Sequence, residues 1–153
     1  EKAKAEGLTA SIGFTVEAIN SATLRMISCR RFDSMQCAYN LIYQHPYDPY
    51  WRAGTMFQAE KAGLGIVTMR SLTSGVFQRW IQTVNPANTF DYTPSLLQFV
   101  LSNPLVDVSL VGMRTAAEVE QNVATCDDPR GRVDIEAVHA KYPTPNGRQE
   151  RAR

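Results

Sequence analysis

Cysteine, lysine and histidine are scarce in this chain. The three cysteines, Cys29, Cys37 and Cys126, are odd in number and widely spaced, which fits neither a disulfide framework nor a metal site and favours a reducing cytoplasm. No run approaches the roughly 18 consecutive apolar residues that span a bilayer, and the opening residues, EKAKAEG, lack the apolar segment of a signal peptide. These absences predict a cytoplasmic protein with no membrane partner and no bound metal.

Net charge is nearly absent as well. The 153 residues have a formal net charge of +1 at pH 7, whereas nucleic-acid-binding proteins normally present a clustered basic face, so no nucleic-acid partner is expected. Residues 129–153 differ from the rest because they hold six basic and three acidic side chains, which gives +3 there and −2 over residues 1–128. We interpret 127–153 as a polar basic tail, solvated and frayed, with a short helix near 134–142.

A short apolar run followed by a stretch with helical spacing occurs four times along the chain. The runs are residues 8–15, 32–39, 65–72 and 106–112. The helices that follow are predicted over 16–29, after Asp48 as N-cap up to 62, over 93–102 with Thr93 as N-cap, and from Thr115 onward. The opening residues are predicted to form the last turn of a helix that stops at Gly7.

Strands that alternate with helices indicate βαβ units and a parallel sheet, and therefore an α/β fold. Four such units form either a small open sheet or half of an eight-stranded barrel. Periodicity alone does not choose between the two.

Five motifs, taken together, favour the half-barrel. They are Ser11-Ile12-Gly13-Phe14-Thr15, Met35-Gln36-Cys37-Ala38-Tyr39-Asn40, residues 65–75 (GIVTMRSLTSG), Ser102-Asn103-Pro104, and Val111-Gly112-Met113-Arg114-Thr115 followed by Glu120-Gln121-Asn122. In order and spacing they resemble the second half of the aldo-keto reductase family, over about residues 1–126. The resemblance implies a (βα)4 half of a TIM-type (β/α)8 barrel with parallel strands, whose active face lies at the carboxyl ends of the strands.

The same resemblance implies a binding site for NADP(H). It assigns the nicotinamide end to Gln36, whose amide offers both a donor and an acceptor to the carboxamide, and to Met69, whose polarizable thioether packs against the ring. Arg70, Ser71 and Leu72 correspond to a turn that runs along the pyrophosphate, where an arginine supplies charge-assisted hydrogen bonds.

The resemblance assigns the adenosine end of the cofactor to the start of the last helix. Gly112, Met113 and Arg114 open that helix, and the N–H groups and dipole of a helix N-terminus favour an anion. Arg114 would then face the 2′-phosphate, which favours NADP over NAD, while Gln121 and Asn122 would meet the adenine.

Two positions depart from the family pattern. Thr15-Val16 stand where the family commonly has Ser-Asn, so one contact to the carboxamide is lost and a weaker cofactor affinity is expected. Glu118 stands where several members place an arginine for the 2′-phosphate, and a carboxylate there would repel that group.

The family's catalytic aspartate, tyrosine, lysine and histidine lie on the first half of the barrel and have no counterpart among the residues given. Tyr39 and Tyr43 have no lysine beside them on a strand end, and a tyrosine with a pKa of about 10 needs a nearby cation to donate a proton at neutral pH. We therefore assign no catalytic residue and expect the chain alone to be inactive. In complete form the protein would reduce aldehydes or ketones by hydride transfer. The alternatives are a non-catalytic nucleotide-binding or interaction module and an inactive truncated fragment.

Two loops, 40–51 and 75–92, would line the pocket for a small carbonyl substrate. Tyr43, Trp51, Phe77 and Trp80 lie in them and predict an apolar lining.

The first and fourth strands of a half-barrel lack a neighbour on one side. Their unpaired backbone groups, together with the apolar residues Leu8, Ile12, Val108 and Leu110, form a template for pairing with another chain. The sequence therefore predicts self-association through the strand edges.

Overall fold

A sheet of four parallel strands forms the centre of the computed structural model, which describes residues 2–17 and 20–141. The strands are β1 (Gly13–Val16), β2 (Ser34–Ala38), β3 (Gly65–Met69) and β4 (Val108–Ser109), and they lie side by side in chain order. Each neighbouring pair runs parallel, and Gln36 lies between Thr15 on β1 and Val67 on β3. The prediction of an α/β fold with a parallel sheet is confirmed.

Helices connect the strands. Within the described ranges they are α1 (Lys2–Ala5), α2 (Ser21–Ser28), α3 (Thr55–Lys61), α4 (Val76–Val84), α5 (Thr93–Leu101), α6 (Ala116–Asp127) and α7 (Ile135–Lys141), with short 3₁₀ turns at Thr73–Gly75 and Pro129–Gly131. No helix in these ranges combines the length and the apolar character needed to cross a membrane.

Two helices begin where a polar side chain satisfies their first N–H groups. The Oδ1 atom of Asn20 accepts hydrogen bonds from the N–H groups of Ala22 at 2.9 Å and Thr23 at 3.1 Å ahead of α2. Thr115 caps α6 as the sequence predicts, because its hydroxyl accepts from the N–H of Glu118 while the Glu118 carboxylate accepts from the N–H of Thr115.

The predicted caps of the other two helices are wrong. Asp48 lies well before α3, whose N-cap is Gly54, because its carboxylate instead closes a turn by accepting from the N–H of Trp51 at 3.1 Å. Thr93 is the first residue of α5 rather than its N-cap, and its N–H is bound at 2.9 Å by the carboxylate of Asp91. In both cases an aspartate uses its short side chain to bind a backbone N–H two or three residues ahead.

Helix α4 lies in a segment, residues 75–92, that the sequence predicted to be a loop. No residue of α4 is buried. Its apolar side chains, including those of Val76 and Trp80, therefore keep part of their surface exposed to solvent. Strand β4 is also shorter than the run 106–112 that predicted it, with only Val108 and Ser109 in the ladder.

The hydrophobic core lies between one face of the sheet and the helices. Strand side chains alternate between two faces, and those directed to the helices pack against apolar residues of α2, α3 and α5. The strand side of this core comprises Phe14, Met35, Cys37 and Ile66, and the helix side includes Ile27, Met56, Phe57 and Val100. On the opposite face Thr15, Gln36, Val67 and Met69 keep part of their surface in contact with solvent.

The described part of the tail belongs to the folded unit. Ile135 of α7 is only 3% exposed and joins the core cluster. The guanidinium of Arg132 donates to the side-chain oxygen of Gln98 and, at 3.1 Å, to the carbonyl of Cys126. Helix α7 falls within the predicted range 134–142, while residues 142–153 lie outside the described residues.

Alkaline destabilisation is expected from a tyrosine in this core. Tyr39 is fully buried and stacks on Phe99 with ring centroids 5.8 Å apart, and burial raises its pKa from 10.0 to about 12. Because the unfolded chain ionises first, the stabilising contribution is present below pH 10 and is lost as the pH rises towards 12. We expect the free energy of unfolding to fall by about 1 kcal/mol per pH unit in this window, measured by urea denaturation, and to fall less in Tyr39→Phe.

Cys37 contributes in the same direction, since burial raises its pKa from 9.0 to about 11. The variant Cys37→Ala therefore serves as a comparison, because it removes the contribution of the thiol to the alkaline slope and leaves that of Tyr39. If Tyr39→Phe kept the whole alkaline slope of the wild type, the assignment to Tyr39 would be wrong.

Candidate functional site

The carboxyl ends of the four strands meet at one edge of the sheet because all four strands run parallel. Ligands of α/β proteins bind at this edge, where the loops that follow the strands converge. The residues that follow β1, β2 and β3 here include Glu17, Asn40 and Arg70.

Gln36 and Met69 are brought into contact on the half-exposed face of the sheet. The Nε2 atom of Gln36 donates to the Sδ atom of Met69 at 3.3 Å. Met69 is the last residue of β3 and lies beside Ala38, whereas Gln36 lies two residues before Ala38 on β2. Both residues are only partly buried, and the strands hold the amide and the thioether against each other.

Arg70 follows Met69 directly and reaches across to the end of β1. Its Nη2 atom lies 2.6 Å from the Oε1 atom of Glu17, and the two side chains are 50% and 63% exposed. Its backbone is in the left-handed region, with φ of 58°. A non-glycine residue in this conformation is strained, so the turn that follows β3 is held in place by its surroundings.

Asn40 links the loop that follows β2 to the end of β3. Its Nδ2 atom donates to the carbonyl of Arg70 at 3.0 Å, and its Oδ1 atom accepts from the N–H groups of Ile42 at 3.0 Å and Tyr43 at 2.9 Å. The hydroxyl of Tyr43 donates to the carbonyl of Glu17 at 2.9 Å. The loop after β2 is therefore bonded to the ends of both neighbouring strands.

A cleft of about 230 Å³ opens among these residues. Its lining mixes one ion pair with apolar and aromatic side chains: Glu17, Ala38, Asn40, Ile42, Tyr43, Arg70, Thr73, Ser74, Val76 and Trp80. Tyr43 and Trp80 were predicted to line a pocket, and they do. Trp51 is instead 55% exposed and contacts Tyr50, and Phe77 packs on Tyr92.

The cleft wall just before α4 includes two non-glycine residues, Thr73 and Ser74, whose backbone is in the strained left-handed region. Thr73, Ser74 and Gly75 follow one another with φ of 57°, 51° and 73°. The hydroxyl of Thr73 accepts from the N–H of Phe77 at 3.1 Å and so holds the first turn of the helix against this segment.

Ser71 and Leu72, predicted to lie along a pyrophosphate, have structural partners. Ser71 is 1% exposed, and its hydroxyl lies 2.7 Å from the hydroxyl of Ser109 and 3.3 Å from the carbonyl of Leu110. The carbonyl of Leu72 accepts from the N–H of Gly75 at 3.1 Å. These bonds join the turn after β3 to β4 and to the cleft wall.

The residues assigned to the adenosine end lie at the start of α6 and along it. Gly112, Met113 and Arg114 are exposed, and a Cβ built on Gly112 would meet nothing within 4 Å. Gln121 donates to the carboxylate of Asp91 at 2.7 Å, whereas Asn122 is 8% exposed and faces the interior.

Glu118 occupies the N-terminus of α6. Its carboxylate oxygen Oε2 accepts from the N–H groups of both Arg114 and Thr115. A side-chain anion thus lies against the two N–H groups that precede the helix, at the end where the helix dipole favours an anion.

Titratable groups near the edge differ in their surroundings. Tyr39 is fully buried, and its pKa is raised to about 12 by burial. Burial lowers the pKa of His45, whose ring lies 3.8 Å from the ring of Tyr43.

Over residues 2–17 and 20–141, no group of three histidine, cysteine, aspartate or glutamate side chains could hold a metal ion.

Sequence reasoning missed Glu17 as a site residue and quoted Asn40 only as part of a motif. Glu17 follows the first apolar run, and a polar residue directly after a predicted parallel strand is a usable signal. Its ion pair with Arg70 spans 53 positions of the chain, so the pairing itself could not be read from the sequence.

No family model matches the chain, and a search of curated proteins finds no match.

Proposed function

We propose that this chain is the cofactor-binding half of an NADP(H)-dependent oxidoreductase barrel of the aldo-keto reductase type. The observation that carries the proposal is the contact between Gln36 and Met69 on the half-exposed face of the sheet, with Arg70 directly after Met69. An amide, a thioether and a guanidinium follow one another there, and they match in type a carboxamide, a nicotinamide ring and a phosphate.

The amide of Gln36 fits the role of a carboxamide partner. Its Nε2 atom donates to a thioether sulfur, which is a weak acceptor, so a ligand carboxamide replaces this bond at little cost. The strand holds the amide on the accessible face, which fixes its orientation before a ligand arrives. Little ordering of the side chain is then needed on binding.

The guanidinium of Arg70 fits the role of a phosphate partner. Its ion pair with Glu17 is half exposed, and exposed ion pairs contribute only about 0–1 kcal/mol, so an incoming phosphate can displace the carboxylate. A phosphate also offers the two parallel acceptors that suit a guanidinium. Glu17 is therefore a competitor for the same cation.

Fewer residues support the proposal at the adenosine end of the cofactor. Because Glu118 places a carboxylate against the N–H groups of Arg114 and Thr115 just ahead of α6, the preference for NADP over NAD rests on the side chain of Arg114. The exposed position of Arg114 is compatible with a 2′-phosphate approaching from solvent.

When bound, a reduced nicotinamide supplies a hydride to a carbonyl carbon. The residues of this chain would bind and orient the cofactor, and Tyr43, Val76 and Trp80 would shape the apolar side of the cleft. The proton donor would come from the first half of the barrel.

A nucleotide-binding module without catalysis is the second candidate. Tyr39, the tyrosine that follows β2 directly, is compatible with this candidate because it is fully buried with a pKa raised to about 12. A group in that state is a poor proton donor at neutral pH.

Nucleotide titration tests the proposal. We expect NADPH to bind the chain, Arg70→Met to weaken binding by about 10-fold or more, and Glu17→Gln to strengthen it, because a charge-assisted hydrogen bond contributes about 1.5–3 kcal/mol. The measurement is isothermal titration calorimetry at low salt, with circular dichroism to show that each variant is folded.

The matched control is Arg25→Met, which removes the same charge from an exposed residue in the last turn of α2, outside the cleft lining. An equal loss of affinity in Arg25→Met and Arg70→Met would indicate a general charge effect. Absence of NADPH binding by the folded wild type would refute the proposal.

A further inference from the structure

Four residues around the cleft are joined in a closed ring of contacts. The carboxylate of Glu17 pairs with the guanidinium of Arg70 at 2.6 Å, and the carbonyl of Arg70 accepts from the Nδ2 atom of Asn40 at 3.0 Å. The Oδ1 atom of Asn40 accepts from the N–H of Tyr43 at 2.9 Å. The hydroxyl of Tyr43 donates to the carbonyl of Glu17 at 2.9 Å. These four residues form the cleft ring, which joins the ends of β1, β2 and β3.

The ion pair is the link of the cleft ring that an incoming anion would open. The side chains of Arg70 and Glu17 are 50% and 63% exposed, whereas Asn40 is 4% exposed. In the proposed function a phosphate displaces Glu17 from Arg70, and the other three links of the ring remain. In the bound state, Arg70 is therefore held by the contacts of its backbone and not by its ion pair.

The backbone of Arg70 directs its side chain away from the core. Residues along β3 alternate between partly buried and buried, and the strand ends on the partly buried Met69. A continued strand would direct Arg70 to the buried face, where a guanidinium would lose its hydration. Arg70 instead has φ of 58°, and its side chain lines the cleft.

Asn40 fixes this conformation from the neighbouring strand. A left-handed backbone is unfavourable for a non-glycine residue and persists only where surrounding groups hold it. The carbonyl of Arg70 accepts two hydrogen bonds, from the Nδ2 atom of Asn40 at 3.0 Å and from the N–H of Thr73 at 2.8 Å, which use both lone pairs of the oxygen. The bond from Thr73 lies within the turn itself. The bond from Asn40 is the one that ties this carbonyl to the β2 side of the sheet.

We propose that Asn40 is a positioning residue, whose amide holds the turn after β3 in the conformation that directs the guanidinium of Arg70 into the cleft. An amide suits this role because it donates to Arg70 and at the same time accepts from the N–H groups of Ile42 and Tyr43 in its own loop. The inference rests on the proposed function, which supplies the anion that Arg70 binds.

Two substitutions remove the donor of Asn40 and keep an acceptor. Asn40→Asp and Asn40→Ser both lack the Nδ2 atom, while the oxygen of either new side chain can still accept from N–H groups two or three residues ahead. Calorimetric titration with NADPH is expected to give a dissociation constant about 5-fold higher, or more, for both variants. Asn40→Ser shows this effect without adding a charge to the cleft.

The Arg70→Met background separates positioning from a general weakening of the fold. If Asn40 acts through Arg70, adding Asn40→Ser to Arg70→Met should change the dissociation constant of NADPH by less than about 2-fold. An equal loss of affinity in the two backgrounds would mean that Asn40 acts on the whole fold or on the ligand directly, and would overturn the proposal.

Asn88→Ser is the matched control, because Asn88 makes the same kinds of bond outside the cleft lining. Its Oδ1 atom accepts from the N–H of Phe90 at 2.9 Å, and its Nδ2 atom donates to the hydroxyl of Tyr92 at 3.1 Å. We expect Asn88→Ser to leave the dissociation constant of NADPH within about 2-fold of the wild type. A loss as large as that of Asn40→Ser would also overturn the proposal.

Hydrogen exchange without ligand distinguishes a failure of this inference from a failure of the proposed function. In Asn40→Ser we expect the N–H of Thr73, which binds the carbonyl of Arg70, to exchange at least about 5-fold faster than in the wild type. The N–H of Leu110, which binds the carbonyl of Thr68, should keep its rate. Unchanged exchange at Thr73 would overturn the inference even if NADPH binds. If the folded wild type does not bind NADPH, the proposed function is wrong, and the exchange rates alone decide whether Asn40 holds the turn.

Discussion

Ile135→Ala is expected to destabilise the protein by about 2–5 kcal/mol, the range found when a large buried aliphatic side chain is reduced to a methyl group. Ile135 is 3% exposed and lies in the core cluster with residues from the sheet and from α3. Since the net stability of a domain is only about 5–15 kcal/mol, this one change would remove a large share of it. Thermal denaturation should show a fall in Tm of roughly 6–15 °C.

Val138 provides the matched control because it lies on the same short helix, α7, and is 45% exposed. Val138→Ala is expected to change the free energy of unfolding by less than about 0.5 kcal/mol. Equal and small effects for both substitutions would mean that α7 does not pack on the core. The basic tail would then be solvated along its whole length, as the charge pattern alone indicates.

Gly54→Ala is expected to disrupt the loop that leads into α3. The backbone of Gly54 has φ of 105° and ψ of 167°, a combination that essentially only glycine adopts. A Cβ at this position would lie 2.3 Å from the carbonyl oxygen of Pro46, and that oxygen accepts from the N–H of Met56 at 3.0 Å. Backbone strain and displacement of this bond together should cost about 2–6 kcal/mol, measured by urea denaturation.

Gly63→Ala separates the two causes. Gly63 also has a positive φ, 76°, but a Cβ there would meet nothing within 4 Å, so only the strain of the left-handed backbone, about 1–2 kcal/mol, is expected. If both alanines cost the same, the close approach to Pro46 would not matter. Because the loop from 40 to 54 includes part of the cleft wall, Gly54→Ala should also weaken ligand binding in the cleft.

The candidate site was only partly predictable from the sequence. Gln36 and Met69, which the resemblance assigns to the same end of a cofactor, lie in contact, but Gln36 is in the middle of β2 and not at its end. Ser71 was expected to face a ligand, but it bonds Ser109 because the turn after β3 must also be tied to its neighbour strand. A motif identifies which residues occur at a strand end, whereas the directions of their side chains depend on hydrogen bonds to residues far away in the chain.

Glu17 and Glu118 show that the partners of charged side chains were also only partly predictable from the sequence. The sequence indicated that a carboxylate at Glu118 would repel a phosphate, and the structure shows a more specific contact, since this carboxylate accepts from the N–H groups of Arg114 and Thr115 just before α6. The pairing of Glu17 with Arg70 depends on β1 and β3 ending at the same edge on either side of β2. In both cases a carboxylate of the protein lies where the proposed cofactor would place a phosphate.

The sequence by itself determined the alternation of strands and helices, the parallel sheet and the cap of α6 by Thr115. These features depend on residues close together in the chain, through apolar periodicity and the reach of one side chain. The tertiary structure alone decided that Ile135 enters the core, that α6 turns its valines outward, and that Glu17 meets Arg70 over the cleft. These outcomes depend on which surfaces are brought together across the sheet, and no local pattern contains that information.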